Sequence, residues 1–428
     1  MKVFIGITDI AGWHLGLYQG LRALEIDAVY GCSPSNHVNF QNVAIQQPWV
    51  VKLYQYFSGL DLATPKSAIF RKIITKLLNF ASRLPMFLWA IANCDVFVYP
   101  FGSRFFHIYE LALLKHLNIR VVHIFHGSDT RPPYIDGGYY TEEKMAQPCK
   151  VNKWTHWLWR HNQLIQRYSD FIVCSPTTAH FMHRRFVNWQ VALGMPFQKP
   201  LDIPTPTPQK EGYVRVVHCP SNFRYKGSEI IVEIVDRLIS KGLKIDFVII
   251  RGRPHREVLA ELSVCDVAID QMYSDLMFTG FGTEAAHYGC APVIAGYAKE
   301  QVNRCALLNG MPITTFCHPD EMEELLTRMV VDEVFRKRVN DDAHKYITSH
   351  WSVTSIAQRF LDLIRGYSIP QWWYEPNLVD YLEGSGAVES HIKKCIQLSI
   401  SDGGTKALCI DHNLSLRRSF EHYIIDDN

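Results

Sequence analysis

Residues 265–295 read CDVAIDQMYSDLMFTGFGTEAAHYGCAPVIA. A β-branched run, Val267–Asp270, ends on a carboxylate, and a loop leads from it to the glycine-rich helix start Gly280-Phe-Gly282-Thr283-Glu284. Gly289 and Pro292 then turn the chain into a second apolar run, Pro292–Ala295. Strand, loop, helix, turn and buried strand make a βαβ unit, the building block of a parallel sheet. Glycines let backbone amides approach a phosphate closely, and a carboxylate in the first helical turn can bind vicinal ribose hydroxyls. Glu284 also reads simply as a stabiliser of the helix dipole.

The same alternation runs outward in both directions. Strand candidates in the first half are Val3–Ile7, Val96–Pro100, Arg120–Phe125 and Phe171–Cys174, and in the second Val214–Cys219 and Lys244–Ile250 precede the two already quoted. Between the halves, 196–212 reads PFQKPLDIPTPTPQKEG, with five prolines from Pro196 to Pro208. Proline joins neither a ladder nor a helix interior, so this is a stiff linker. The expected fold class is α/β, with two Rossmann-like domains at 1–195 and 213–366 facing across a cleft. A tail at 367–428 begins IPQWWYEPNLVDYLEG; its aromatic residues are expected to pack back on the domains. From Ala387 to Asn428 the pattern is weak and no function is assigned.

A chain of 428 residues with 47% hydrophobic and 20% charged residues is not disordered, collagen-like or coiled-coil. The net charge of +2, from 44 Lys+Arg against 42 Asp+Glu, excludes a DNA-coating protein, and no nucleic-acid partner is expected. That sum hides an asymmetry. Between Ala28 and Cys94 the only acid is Asp61, against Lys52, Lys66, Arg71, Lys72, Lys76 and Arg83, whereas the sign reverses from Pro319 to Asp342. Eleven cysteines with no C-x-x-C pair suit a reducing cytoplasm. The opening MKVFIGI is strand-like, so no signal peptide is expected, and the longest apolar approach to a membrane span, Leu84 to Ala92, stops at Asn93.

Three further loops carry candidate chemistry. Asp9-Ile-Ala-Gly12-Trp-His14-Leu-Gly16 follows the first strand and opens a helix; it reads equally as a tight turn and as a ligand loop. It lacks the spacing of a dinucleotide fingerprint, and no P-loop is present. His126-Gly-Ser-Asp129-Thr-Arg131 sits just past an apolar strand, at the sheet edge where ligands gather. An imidazole there can move a proton or orient a hydroxyl, the alternative being a satisfied turn residue. His218-Cys-Pro-Ser221-Asn222-Phe-Arg224-Tyr-Lys226-Gly227 places two cations at a strand-to-helix corner, suited to a diphosphate or to a solvated basic turn.

HCPS with Lys226-Gly227, the strand CDVAIDQ and GFGTEAAHYGCAPVIA together resemble the C-terminal, nucleotide-sugar-binding domain of GT-B glycosyltransferases of the retaining family-four type. DVFVYPFGS and VVHIFHGSDTR resemble the N-terminal acceptor domain of bacterial members that build cell-surface polysaccharides, and the likeness covers roughly residues 1–385. The resemblance implies that Lys226 neutralises the donor diphosphate with Arg224 as second cation, and that Ser221 and Asn222 lie in the same donor loop. It implies that Glu284 binds the ribose, that amides of Gly282 and Thr283 touch the phosphates, and that Arg251-Gly252 lies near the base. His126 faces the reacting sugar, with Gly12, His14 and Asp129 on the acceptor side. UDP is the expected carrier and a saccharide or lipid-linked saccharide the expected acceptor. Two positions depart from the family pattern. Ser221 stands where an arginine is common, and the first acid of a glutamate pair falls on Leu276, with Asp275 one residue earlier. The second departure leaves a non-catalytic GT-B subunit as an alternative reading; a third, a nucleotide-sugar epimerase on the same fold, needs additional acids near the reacting sugar.

No D-x-D occurs in the chain, so no metal and no cofactor is expected; cations and helix N-termini take over leaving-group stabilisation. The basic stretch 69–84 has apolar residues at helical spacing flanked by Arg71, Lys72, Lys76 and Arg83. It reads either as a core-facing helix or as a peripheral contact with the inner face of an anionic membrane.

Overall fold

The computed structural model describes residues 1–33, 47–200, 202–367 and 369–425; Leu201 of the linker and Ser368 and 426–428 of the tail lie outside the described residues. The first sheet is built from β1 (Lys2–Ile5), β2 (Asp27–Tyr30), β3 (Val96–Pro100), β4 (Arg120–Ile124), β5 (Phe171–Cys174) and β6 (Phe186–Asn188). These strands are parallel in the order β6-β5-β4-β3-β1-β2. The second sheet holds β7 (Val214–His218), β8 (Ile245–Ile249), β9 (Val267–Ile269), β10 (Ala291–Ala295) and β11 (Phe316–Cys317), also parallel, in the order β11-β10-β9-β7-β8. Central strands such as Val96–Pro100 and Ala291–Ala295 are buried at every residue, as apolar runs covered on both faces must be.

Helices on the first sheet are α1 (Trp13–Ala23), α2 (Trp49–Ala63), α3 (Ile69–Asn93), α4 (Glu110–His116), α5 (Glu142–Met145), α6 (Pro148–Tyr168) and α7 (Trp189–Ala192). The second unit carries α8 (Ser228–Ser240), α9 (His255–Leu262), α10 (Gly280–Tyr288), α11 (Lys299–Asn309), α12 (Met322–Val331) and α13 (Glu333–His350). In α8, Ile231, Ile234, Val235 and Leu238 form the buried stripe that the 3.6-residue period requires. Both halves are therefore Rossmann-like α/β units. In each, the chain reverses direction between its first and third strands, β1/β3 and β7/β9. Ligands of doubly wound sheets bind beyond the strand ends at that switch point.

The last part of the chain returns to the first sheet. α14 (Val353–Arg365), expected within the second domain, lies on α1: a methyl built on Gly20 would overlap the Val353 carbonyl oxygen. β12 (Trp373–Tyr374) pairs antiparallel with β6, so the aromatic IPQWWY segment packs back on the first domain and covers the edge of its sheet. α15 (Glu389–Gly403) and α16 (Leu414–Tyr423) then bury Ile392, Ile396 and Phe420 in one core with Phe97 and Tyr134 of the first domain. The weakly patterned 387–425 is thus part of that domain's core.

α3 is inside out over most of its length. Thr75 and Ser82 are buried, while Phe70, Ile73, Leu77, Phe80, Leu84 and Leu88 are exposed, Phe70 at 78%. The alternative of a core-facing helix is thereby removed for residues 69–84. Its inward polar face is explained by Asp61 on α2, which pairs with Lys72 at 2.9 Å and accepts from Thr75 and Asn79.

Candidate functional site

The switch point of the second sheet gathers the polar residues. Gly227, the N-cap of α8, has φ 66°, and a side chain there would press on Met272, so glycine lets the loop from Cys219 close down beside β9. Closure brings Lys226 Nζ to 2.9 Å from Oδ1 of Asp270, the buried residue just past β9. The other Asp270 oxygen accepts from the Thr279 hydroxyl, and a methyl on Gly282 would stand 3.5 Å from it. Thr279 caps α10 without a side-chain bond to the helix. The amides of Gly280, Phe281 and Gly282 therefore lie outside the helical ladder, at its positive end.

Thr283 differs from expectation. Its amide donates to the Thr279 carbonyl at 3.0 Å and its hydroxyl to the same oxygen at 2.8 Å, so it builds the first turn and has no donor left for a phosphate. Glu284 Oε1 lies 2.8 Å from Nε2 of His255, the first residue of α9. Burial pulls the His255 imidazole down, but the hydrogen bond and charge of Glu284 outweigh it and hold the pKa above its ordinary 6.5.

Arg224 Nη2 donates to the Gly137 carbonyl at 2.7 Å, so the expected second cation is tied to the first domain. Ser221 and Asn222 are exposed, and Asn222 Oδ1 accepts the Tyr225 amide at 3.0 Å, a turn-forming role. Arg251 lies over the Phe223 ring at 4.6 Å, beside Gly252, past the end of edge strand β8.

On the facing side, Gly12 has φ 75° and starts α1, and the end of that helix is already occupied by Asp9. Its carboxylate already accepts the amides of His14 and Leu15 at 3.2 and 3.1 Å, and the Tyr30 hydroxyl at 2.8 Å. A second anion at that helix end would meet like charge. His14 Nδ1 lies 3.3 Å from the same carboxylate, and the His14 and His126 rings meet edge to face at 5.1 Å, both against Trp13. Burial, with His14 and His123 nearby, holds the His126 pKa well below 6.5, so the ring is neutral. Asp129 orders the loop: its Oδ1 takes the amides of His126 and Gly127, both at 3.0 Å.

The two sides meet. Ala11, Gly12 and Gly16 oppose Gly280 and Glu284 across a cavity of about 10 Å³, room for one water. Elsewhere at the junction, Arg131 of the first domain pairs with Asp275 of the second, with Asp136 at 3.1 Å and the Tyr225 hydroxyl at 3.2 Å completing its environment. Tyr225 also bonds Ser385 at 2.9 Å, so the C-terminal segment joins the junction. Leu276, at the family's acid position, is partly buried against the apolar junction core. The structure thus brings together Lys226, Gly282 and, across the junction, Gly12 and Glu284. Asp270, His255 and Asp9 went unassigned in the sequence reading; Asp270 and Asp9 each carried a signal, being acids at C-terminal strand edges, whereas nothing local marks Ser385.

No protein-family model matches this chain, and no curated protein matches it. Solved structures similar to it include the glycosyltransferase SnogD from Streptomyces nogalater, at 13% identity and TM-score 0.42, covering 85% of this chain and 99% of that one. A trehalose-6-phosphate synthase, OtsA, is similar at 10% identity and TM-score 0.49, covering 86% and 99%. The Anabaena protein HepE in complex with UDP-glucose is similar at 11% identity and TM-score 0.44, covering 85% and 99%.

Proposed function

We propose that this chain is a retaining, metal-independent GT-B glycosyltransferase. It moves a sugar from a nucleoside-diphosphate carrier, UDP, to a saccharide or lipid-linked saccharide acceptor in cell-surface polysaccharide synthesis at the inner face of the membrane. The observation that carries the reading is the meeting of Lys226, Asp270 and the uncapped first turn of α10 at the switch point of the second sheet. A diphosphate there takes a point charge from Lys226 and dipolar donors from Gly280 to Gly282, and both strengthen as charge grows on the departing phosphate. Asp270 holds the ammonium in place until then. Glu284, one turn along, faces the ribose, and His126, neutral and next to His14, serves the reacting sugar from the first domain. The 10 Å³ cavity requires the domains to part before a donor enters and to close again over it, excluding water.

Calorimetric titration with UDP tests the site. Lys226→Ala and Glu284→Ala are each expected to weaken binding about 10- to 100-fold, the range of a charge-assisted hydrogen bond. Unchanged binding in both variants would sink the assignment.

One observation favours a second reading, a non-catalytic subunit of the same fold: Asp275, next to the missing acid, is engaged by Arg131. Slow hydrolysis of nucleotide sugars separates the two, because a transferase releases free sugar and nucleotide whereas a binding subunit releases neither.

A further inference from the structure

We propose that the first domain rests on an anionic lipid bilayer through one continuous surface built from α3, the loop 104–106 and α6. The inference relies on the reading above for placing the protein at a membrane face, and adds the surface that holds it there.

Four observations converge. The first is the inverted α3: a soluble helix facing water turns its polar side outward, whereas here Thr75 and Ser82 are inside and nine large apolar residues are outside. The second is the fate of the one acid in this region. Asp61 is turned inward and held by Lys72, Thr75 and Asn79, so the outward face carries no negative charge from it.

The third observation is on α6, which has no acidic residue from Pro148 to Tyr168. Its exposed Trp154 and Trp157 stack at 4.4 Å and 12°, and Trp157 stacks on His161 at 4.9 Å and 9°. Flat indoles held half in water are the side chains that settle at a lipid headgroup boundary. The fourth is continuity between the two helices. Phe106 meets Phe80 of α3 at 5.4 Å, and Arg104, two residues before it, reaches the His161 ring of α6.

The charge of the surface selects the kind of bilayer. Arg71 and Lys76 on α3 and Lys153 and Arg160 on α6 are exposed, and none has an ion-pair partner among the described residues. No helix among the described residues is long and apolar enough to cross a membrane, so the surface lies in the headgroup plane.

The test is flotation of the full chain with vesicles of phosphatidylcholine alone or mixed with phosphatidylglycerol, with tryptophan emission read on the same samples. The expected result is co-flotation with the anionic vesicles, weakened by salt, with a blue shift in emission. Arg71→Ala with Lys76→Ala is expected to lower partitioning about 25-fold, about fivefold per cation, and Ile73→Asp with Leu77→Asp to abolish it. Melting temperature and UDP titration on each variant show that fold and nucleotide site are intact. Absence from the lipid fraction at low salt, or equal flotation with neutral vesicles, overturns the proposal. So does a dimer in solution that Ile73→Asp with Leu77→Asp dissociates while no vesicle is bound, since a second copy would then own the face. Flotation without UDP binding overturns the transferase reading and leaves the surface standing; UDP binding without flotation does the reverse.

Discussion

Arg131 and Asp275 form a buried ion pair between the two domains: Arg131 Nε donates to Asp275 Oδ2 at 3.0 Å, and Nη2 reaches the same oxygen. One guanidinium thus serves two buried carboxylates, because its Nη1 holds Asp136 at 3.1 Å. Burial alone would weaken the guanidinium's hold on its proton, but Asp275, Tyr225 and Asp136 raise its pKa well above the usual value, so the cation persists at any working pH. Breaking an isolated buried pair costs about 3–5 kcal/mol. Asp275→Asn keeps the shape and leaves Asp136 in place, so the expected loss is smaller, about 1–3 kcal/mol.

The same pair latches the closed junction, whose cavity between Gly12 and Glu284 has room for one water. Asp275→Asn is therefore expected to enlarge the radius of gyration in small-angle scattering and to speed UDP association in stopped flow. A variant that scatters and binds like the parent would show that the pair does not restrain opening.

Gly20 lies in the middle of α1, where alanine ordinarily stabilises a helix by about 1 kcal/mol. Here the opposite is expected. A methyl on Gly20 would overlap the Val353 carbonyl and stand 2.8 Å from the Ala357 methyl, so α14 must shift off α1. Gly20→Ala should lower the melting temperature by several degrees, in keeping with an overpacking cost of about 1–3 kcal/mol. An unchanged or higher melting temperature would show that α14 is not seated there.

Much of this architecture is legible in local sequence. The strands from Val96, Phe171, Val214 and Val267 announce themselves because a strand buried on both faces is an apolar run, and α8 because its stripe follows the helical period. Four of the described strands escape: Phe186–Asn188, Phe316–Cys317 and Trp373–Tyr374 are two or three residues long, and only tertiary pairing makes them strands, while Asp27–Tyr30 begins on an exposed acid and buries only Ala28 and Val29, too short an apolar run to stand out. The site divides the same way. Gly227, Lys226 and Gly282 are placed by local turn chemistry and so can be read in order along the chain. Arg131 with Asp275, and Tyr225 with Ser385, are contacts between segments more than a hundred residues apart, which no local pattern encodes. The displaced acid at Asp275 marked the departure from the family pattern, but not its partner.

Asp129 supplies a pH dependence of stability. Burial raises its carboxyl to about 7 from an ordinary 3.8, against the pull of the His126, Asp129 and Gly127 amides. The folded state therefore binds the proton more tightly than the unfolded chain, and stability falls as pH rises from about 4 to about 7. Asp129→Asn retains the Oδ1 acceptor for both amides and removes the titration. The denaturant midpoint of the parent should fall relative to that of the variant across that window, since the buried histidines that titrate there are common to both. Parallel curves would place the titration elsewhere.

His255 and Glu284 give nucleotide binding its own pH dependence. The His255 pKa lies above 6.5 in the folded state, so its contribution to stability is complete below 6.5 and is lost as pH rises through the folded value. Below that window a charged imidazolium, 2.8 Å from Oε1, holds the Glu284 carboxylate; above it only a neutral hydrogen bond remains. A charge-assisted bond exceeds a neutral one by about 1–1.5 kcal/mol, so release of Glu284 to ribose hydroxyls should tighten UDP binding up to about tenfold as pH rises through the window. UDP ionises over a similar range, but equally for every protein variant. His255→Gln keeps a hydrogen-bonding side chain without the titration, and the ratio of parent to variant affinity isolates the effect. That ratio should rise with pH above 6.5 and then level off. A constant ratio would mean that Glu284 does not bind the nucleotide or that His255 does not gate it; Glu284→Ala, measured at one pH, tells these apart.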